Sequence, residues 1–540
     1  MKKFNWEQFF LIVLIVISPF LVFYNLELNP RPWHDEGSYL TLAKTLVEDG
    51  TYAVRNSDGY QTFGAVQSLG PTVILPIAWI FRMFGSGLLQ GRIISGIYLL
   101  CTLMLFYLTA HLLFGRKSAL FSVVLLLASP AVGFLMYGRP VLGEGSALGF
   151  FLASWVVWST GVRKQKNWLY ILSGLLLGAT IVTKSQYLLI GFASVGIMIL
   201  LDLVHYRLGG YKGLLVVGFV AAGCVAAWYG WQVHYYGAQL FRENSSKLGS
   251  LAGVTMGLNL RSSINALRFL FGSGSGYTYI FWGFPALIYS FILASRRQRE
   301  SFTLAYLVIF VSLWLSYFVF VIIPWSRYIF PAAAILAIFV GKLFVDLLDG
   351  FVLSAHEIWP EIKGFILSGS SLSSKGFMGL GTFLALITLM LWSGYQLQKV
   401  IREDVLDKYG IENTEIYSPP QFALPEEMAK YLTDSIPQDA VIDTWERELG
   451  ILTKNRYHYP DASFLASAHK IVYRDGTGSQ SLAILGKDYF NSVHPDYVLV
   501  GWYARFNHLY DTEYLIQNAK LIKTIGVGVW SYDLYKMNTP

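Results

Sequence analysis

The chain has 540 residues, of which 54% are hydrophobic and only 14% are charged, so it is too long for one ordinary soluble domain and too apolar for a water-soluble protein. Apolar stretches that can cross a bilayer core about 30 Å thick recur between Phe9 and Trp392. The net charge of +7 does not indicate nucleic-acid binding, because the basic residues are spread among short loops, where they typically determine membrane topology.

The first predicted element is a membrane helix at residues 8–24. Met1-Lys2-Lys3 and the apolar run that follows resemble a signal peptide, but no small-x-small cleavage site comes after them, so we expect an uncleaved helix. Cys101 and Cys224 fall inside later predicted helices. They therefore indicate neither a disulfide framework nor a metal cluster.

Four short loops rich in Lys and Arg, at 116–117, 163–166, 207–212 and 296–300, are predicted to lie on the cytoplasmic side with the N-terminus. This sidedness predicts a multi-pass protein of the cell membrane whose C-terminal part is extracytoplasmic. It gives eleven transmembrane helices near residues 8–24, 89–113, 119–136, 146–161, 168–183, 186–204, 213–235, 277–295, 302–323, 328–347 and 376–397.

The predicted membrane domain covers residues 1–400 and has long outer loops at 25–88 and 236–276. Residues 70–84 are apolar, but this run contains Pro71 and Pro76 and is shorter than the ~17–25 residues of a usual crossing, so we predict an interfacial or re-entrant helix. The Gly-, Ser- and Asn-rich loop at 236–276 is predicted to move as a lid. Residues 349–375 are predicted to form a flexible inner connector.

Residues 401–540 are predicted to form a small α/β domain outside the membrane, because the apolar runs shorten and charged residues become frequent. Buried strands are predicted at 440–445 and 497–501, and helices at 426–433 and 448–453. Residues 526–537 are predicted to form a terminal strand or hairpin.

Charged residues near the outer helix ends are the candidates for chemistry, because a charge within a bilayer costs about 2.5–3.5 kcal/mol on insertion scales and needs a reason. Separate segments bring two or three carboxylates and three cations to one membrane depth. Such a set suits a phosphate leaving group, which the cations stabilise, and a hydroxyl acceptor, which a carboxylate deprotonates. The candidates are Asp35, Glu36, Arg139, Glu144, Lys184 and Arg327.

Each candidate also has a structural interpretation. The three acids can cap helices, and the two arginines can extend to lipid headgroups. Lys184 is equally typical of an interfacial anchor. A divalent metal site built from His34, Asp35 and Glu36 is a further alternative.

The order of these motifs resembles the GT-C superfamily of membrane glycosyltransferases, in particular its protein O-mannosyltransferase and aminoarabinose transferase branch. The similarity covers roughly the first 350 residues. It is carried by Asp35-Glu36, the Pro-containing run 70–85, Gly91-Arg92-Ile93-Ile94-Ser95-Gly96, Phe114-Gly115-Arg116-Lys117, Tyr137-Gly138-Arg139-Pro140 with Glu144, residues 174–184, and Arg327-Tyr328 up to Pro331. The chain has Gln67-Ser68 where many relatives carry Lys or His, and Glu144 where relatives often have Asp.

The resemblance implies a GT-C-like all-α membrane domain and an inverting glycosyltransferase. The enzyme would move a hexose or pentose from a polyprenyl-phosphate donor to a protein, lipid or glycan acceptor at the outer face. Asp35 matches the proposed general base, Glu36 its support and Glu144 the second outer acid. Donor phosphate contacts are implied for Arg139, Lys184, Arg327 and Tyr328.

Two other classes of function remain open at this point. Ionisable residues in helical bundles also mark translocation paths, so the chain has features of a transporter or flippase for a lipid-linked or anionic substrate. A noncatalytic sensor or assembly protein would instead carry its function in the outer C-terminal domain. The absence of a visible inverted repeat and the one-sided acids favour the transferase.

Overall fold

The computed structural model describes residues 6–130, 132–272, 277–369, 371–406, 425–461, 464–465, 468 and 485–538. Its N-terminal part is helical. The helices are α1 (Trp6–Phe23), α2 (His34–Asp49), α3 (Ala65–Ser68), α4 (Pro71–Phe84), α5 (Leu88–Ala128), α6 (Phe134–Gly138), α7 (Glu144–Lys164), α8 (Asn167–Thr183), α9 (Tyr187–Leu201), α10 (Tyr211–Tyr236), α11 (Ala238–Thr255), α12 (Leu260–Gly272), α13 (Tyr277–Ala294), α14 (Arg299–Phe320), α15 (Phe330–Ser368) and α16 (Ser374–Val400).

Among the described residues, seven helices are long and apolar enough to cross a membrane, and four shorter apolar helices accompany them. Every predicted crossing coincides at least in part with an apolar helix. The predicted crossing at 119–136 is too long, because the helix ends at Ala128 before the extended Ser129, whose successor Pro130 disfavours helical backbone. Within α5, Gly115 has φ 82° and joins two helices at a break, a conformation that glycine adopts without strain.

Two predicted connections are helical instead. The prediction of a flexible connector at 349–375 is wrong for residues 349–368, because α15 continues to Ser368 and ends at the left-handed Gly369. Ser373 then caps α16 by accepting a hydrogen bond from the amide of Gly376. The prediction of a loop at 236–276 is wrong for most of its length, since α11 and α12 occupy this segment.

The predicted outer loop at 25–88 is also structured. It contains α2, α3, α4 and an antiparallel hairpin of β1 (Val54–Asn56) and β2 (Gly59–Gln61). Residues 70–84 form the helix α4, as predicted, and begin with Pro71 in the first turn, where its missing amide is no loss. The position of α4 relative to the bilayer stays a prediction.

The C-terminal part contains α17 (Pro425–Ser435), β3 (Val441–Thr444), α18 (Leu449–Leu452), β4 (Arg456–His458), α19 (Lys487–Val493), β5 (Tyr497–Val500), α20 (Trp502–Phe506), α21 (Thr512–Asn518), β6 (Ala519–Ile525) and β7 (Tyr532–Met537). The sheet order is β4-β3-β5-β7-β6, with β3 parallel to β4 and β5 and with β7 antiparallel to β5 and β6. The predicted α/β class, both internal strands, both helices and the terminal strand are confirmed, and the terminal strand forms a hairpin with β6, which precedes the predicted range.

One hydrophobic cluster joins the C-terminal sheet unit to α2 and α4. Leu40 and Ile74 from the helical part are fully buried in this cluster, together with Leu432, Leu449 and Leu534 from the C-terminal part. Because burying such side chains stabilises contact by about 1.5–3 kcal/mol each, the two parts are packed into one body along this face.

Candidate active site

The candidate site is a cavity of about 200 Å³ where α2 meets the turn between α8 and α9, the segment before α15, and the C-terminal unit. Four of the predicted catalytic and donor-binding residues line it, namely Asp35, Lys184, Arg327 and Tyr328. These residues come from three positions more than 140 residues apart in the sequence, so folding brings the predicted acid and cations to one place.

Asp35 lies in the first turn of α2. The helix begins after Pro30 and Pro32, and the extended Trp33 precedes its first residue, so the carboxylate sits where the helix dipole favours negative charge. It forms an ion pair with the guanidinium of Arg327. Burial raises the pKa of Asp35, but the positive charges of Arg327 and Lys184, and of His34 once it is protonated in acid, together lower it to about 2. The carboxylate is therefore ionised at neutral pH.

Arg327 is nearly buried and is surrounded by aromatic rings. Its guanidinium lies 5.3 Å from the Trp33 ring centroid, 5.1 Å from that of Trp325 and 5.3 Å from that of Tyr328. Such cation–π contacts hold the planar group in position while its hydrogen-bonding edge stays available for anions.

Lys184 follows the last residue of α8 and is buried. Its Nζ atom lies 3.1 Å from Oε1 of Glu144 and donates a 2.6 Å hydrogen bond to the carbonyl of Leu142. Glu144 begins α7 and reaches the cavity only through this ion pair. The predicted acid Glu144 and cation Lys184 therefore form a pair, and Lys184 is the member of that pair that lines the cavity.

Glu36 and Arg139 do not line the cavity. Glu36 is fully buried and accepts two hydrogen bonds from Arg92, at 2.8 and 2.6 Å, and one from the amide of Val141 at 3.0 Å. Arg139 donates to the carbonyls of Tyr24 and Asp404. Both predicted residues thus hold segments of the chain together.

These geometries can be set beside known proteins. The family model described as dolichyl-phosphate-mannose-protein mannosyltransferase matches residues 69–231. The structure of ArnT from Cupriavidus metallidurans bound to undecaprenyl phosphate is similar with a TM-score of 0.62 at 13% identity, covering 98% of each chain. The apo ArnT structure gives 0.60 at 14% identity, covering 98% of this chain and 97% of that one. The chain has the GT-C fold.

The archaeal oligosaccharyltransferase AglB from Archaeoglobus fulgidus, in complex with an inhibitory peptide and a dolichol-phosphate, shares this GT-C fold. It has a TM-score of 0.56 and 12% identity, covering 93% of this chain and 70% of that one. No curated protein matches the chain by sequence. The predicted resemblance to GT-C glycosyltransferases is confirmed, and the chain is a multi-pass membrane protein.

The alternative of a metal site built from His34, Asp35 and Glu36 does not fit the geometry of these side chains. Across the part of the chain that the structure describes, no group of three or more His, Cys, Asp and Glu residues is placed to hold a metal ion. His34 donates to the carbonyl of Trp445 and stacks on Tyr503 with ring centroids 4.0 Å apart, while Glu36 is engaged by Arg92. Burial lowers the pKa of His34 to about 4, so the imidazole is neutral.

Sequence reasoning missed the residues that the C-terminal unit contributes to the cavity. Trp445, Arg447 and Tyr503 line it together with Lys184. Trp445 and Arg447 directly follow β3, and Tyr503 follows β5. Because the carboxyl ends of parallel strands commonly form ligand sites, the predicted ends of these strands were the available signal.

Proposed function

We propose that the protein transfers a sugar from a polyprenyl-phosphate donor to an acceptor at the noncytoplasmic face of the membrane. The observation that carries this proposal is the meeting of Asp35 with Lys184 and Arg327 in one cavity of a GT-C fold. The similarity to ArnT bound to undecaprenyl phosphate and to AglB with a dolichol-phosphate supports a lipid-linked donor.

Donor binding uses the two cations. A sugar linked to a polyprenyl chain through one phosphate has a single negative charge, and loss of the sugar leaves a phosphate with more charge. Lys184 and Arg327 lie where that developing charge is stabilised, and fixed cations in a poorly hydrated cavity stabilise it more than water does. Tyr328 adds a hydroxyl at the cavity wall, and Glu144 positions Lys184.

Transfer then uses Asp35. The acceptor oxygen or nitrogen bonds to the anomeric carbon as the bond from that carbon to the phosphate oxygen breaks. The acceptor proton passes to the Asp35 carboxylate, and the bonding electrons leave with polyprenyl phosphate. Attack from the side opposite the phosphate inverts the anomeric carbon. A positioned carboxylate contributes about 10²–10⁴ to the rate of such a step.

The test measures transfer and binding separately. Purified protein is given a panel of radiolabelled polyprenyl-phosphate sugars, and the wild type is compared with Asp35→Asn. We expect transfer to fall by about 10²–10⁴, while undecaprenyl phosphate still binds. Glu48→Gln is the matched control, because Glu48 is on the same helix but is exposed and pairs with Arg55.

Equal rates of sugar transfer by the wild type and Asp35→Asn would refute the role of Asp35 as the general base. Wild-type protein that moves a lipid-linked sugar across vesicles without transferring it would favour the flippase.

Sidedness has its own test. Single cysteines at Asp58, in the turn of the β1–β2 hairpin, and at Lys117, in a predicted inner loop, are placed in a background without Cys101 and Cys224. Both target side chains are largely exposed. We expect a membrane-impermeant thiol reagent to label only position 58 from outside. Labelling of position 117 from outside would refute the proposed orientation.

A further inference from the structure

Arg447 is a buried cavity residue that the C-terminal unit supplies. Its Nη2 atom donates a 2.9 Å hydrogen bond to Oε1 of Gln61 on the hairpin, and its guanidinium lies 5.0 Å from the Tyr459 ring centroid. Gln61 in turn donates to the carbonyl of Tyr459. The side chain is therefore held in a fixed direction by neutral partners.

Arg447 differs from the other two cavity cations in its charge balance. Lys184 pairs with Glu144 and Arg327 pairs with Asp35. Among the described residues, no carboxylate lies within 4.0 Å of the Arg447 guanidinium. With these five groups in their ordinary charge states, the cavity has one positive charge in excess.

The two glutamates next to Arg447 in sequence do not neutralise it. Glu446 accepts a 3.1 Å hydrogen bond from the amide of Ala504, and Glu448 accepts a 2.8 Å hydrogen bond from the hydroxyl of Tyr532. Both side chains are turned into the C-terminal core. Burial raises the pKa of both carboxyl groups, to about 7 for Glu446, which further weakens their ability to balance the guanidinium.

The position of Arg447 is coupled to that of Asp35 through the backbone. A Cβ atom added at Gly37 would lie 2.3 Å from the amide nitrogen of Glu448 and 2.4 Å from the carbonyl carbon of Arg447. This close approach lets the loop after β3 rest directly on the first turns of α2. The C-terminal unit thus sets the distance between its arginine and the candidate base.

We propose that Arg447 binds an anionic oxygen group of the phosphate class on a bound substrate, so that the C-terminal unit completes the charge balance of the cavity. This proposal rests on the proposed glycosyl transfer. A guanidinium without a carboxylate partner offers the hydrogen-bonding edge that phosphate oxygens prefer. The anion is either the phosphate of the donor or an acidic group on the acceptor, and binding and kinetics separate these sources.

The test compares Arg447→Gln and Arg447→Lys with Arg456→Gln. Arg456 is the matched control, because it also joins the C-terminal unit to the hairpin, through the carbonyl of Ser57, but does not line the cavity. The probes are undecaprenyl phosphate, for binding, and the donor and acceptor in separate kinetic titrations. Arg447→Met repeats the test if the glutamine variant fails to fold.

We expect Arg447→Gln to weaken binding at least tenfold, in the Kd of undecaprenyl phosphate if the donor supplies the anion and in the KM of the acceptor if the acceptor does. Arg447→Lys should lose less, and Arg456→Gln should match the wild type. On wild-type protein, modification of Arg447 by phenylglyoxal, read by mass spectrometry, should slow in the presence of whichever substrate supplies the anion, and modification of Arg456 should not.

Unchanged Kd and KM in Arg447→Gln, or equal losses in the Arg447 and Arg456 variants, would overturn the assignment while leaving glycosyl transfer intact. Wild-type protein that neither binds undecaprenyl phosphate nor transfers sugar would instead remove the proposed function, and this inference with it.

Discussion

The contact at Gly37 makes the substitution Gly37→Ala a sharp test of how the C-terminal unit completes the cavity. The added Cβ would meet backbone atoms of Arg447 and Glu448 at 2.3–2.4 Å, whereas ordinary contacts are 3.4–4 Å, so the loop must move by about 1 Å. Overpacking of this kind costs about 1–3 kcal/mol. The equilibrium for local opening of the loop should therefore shift about 5- to 150-fold.

Hydrogen exchange measured by mass spectrometry reads this shift at the amides of residues 447–451, several of which are hydrogen-bonded within the loop. We expect exchange to accelerate by the same factor and sugar transfer to fall, because Arg447 leaves its position. Gly249→Ala on α11 is the control, since an added Cβ there meets nothing within 4 Å. Unchanged exchange and transfer in Gly37→Ala would refute the reasoning.

Three further predictions concern charge. Glu36→Gln leaves the buried Arg92 uncompensated at a cost of about 3–5 kcal/mol, so we expect a large loss of folded protein in size-exclusion chromatography, and a wild-type yield would contradict this. The pKa of Glu446 is raised to about 7, so the protonated carboxyl group stabilises the folded protein fully below about pH 4. This stabilisation is lost as the pH rises to 7, at up to about 1.4 kcal/mol per pH unit. Thermal unfolding should show this slope in the wild type and a flatter one in Glu446→Gln, and equal slopes would count against it. Isotope-edited infrared titration should find Asp35 ionised down to a pKa of about 2, and saturating undecaprenyl phosphate should raise that pKa because the phosphate competes for Arg327; no change would contradict the shared guanidinium.

The helical part could largely be predicted because membrane thickness fixes the length of an apolar crossing. The ends of the helices were harder to predict from the sequence. The extension of α15 to Ser368 lies beyond the predicted crossing, and its end is set by the backbone of Gly369 rather than by hydrophobicity. The helical nature of residues 238–272 was hidden because Gly, Ser and Asn favour turns locally, and tertiary contacts override that preference.

For the candidate site, sidedness grouped six charged residues, of which Asp35, Lys184 and Arg327 line one cavity. It could not separate Asp35 from Glu36. Adjacent residues on an α-helix point about 100° apart, so one carboxylate faces the cavity and the other faces Arg92 in α5. Side-chain direction depends on how each helix is rotated, which loop charges do not specify.

The residues that the C-terminal unit contributes to the cavity could not be predicted from the sequence for a different reason. Arg447 meets the first turns of α2 across about 410 residues of chain, and no local periodicity encodes so distant a contact. A Trp-Glu-Arg-Glu sequence after a strand is consistent with a solvated turn. Only the packing of Gly37 against that turn shows that its arginine belongs to the cavity.

The arrangement of charges also orders the proposed reaction. A carboxylate with a pKa of about 2 is a weak base, because Arg327 stabilises its ionised form. A donor phosphate that engages the same guanidinium reduces this stabilisation and makes Asp35 more basic. The candidate base is therefore strengthened when a donor occupies the cavity. Arg447 also acts on Asp35 through its charge, but it is not hydrogen-bonded to that carboxylate and instead donates to Gln61. An anion at Arg327 must therefore displace a direct partner of Asp35, whereas an anion at Arg447 need not.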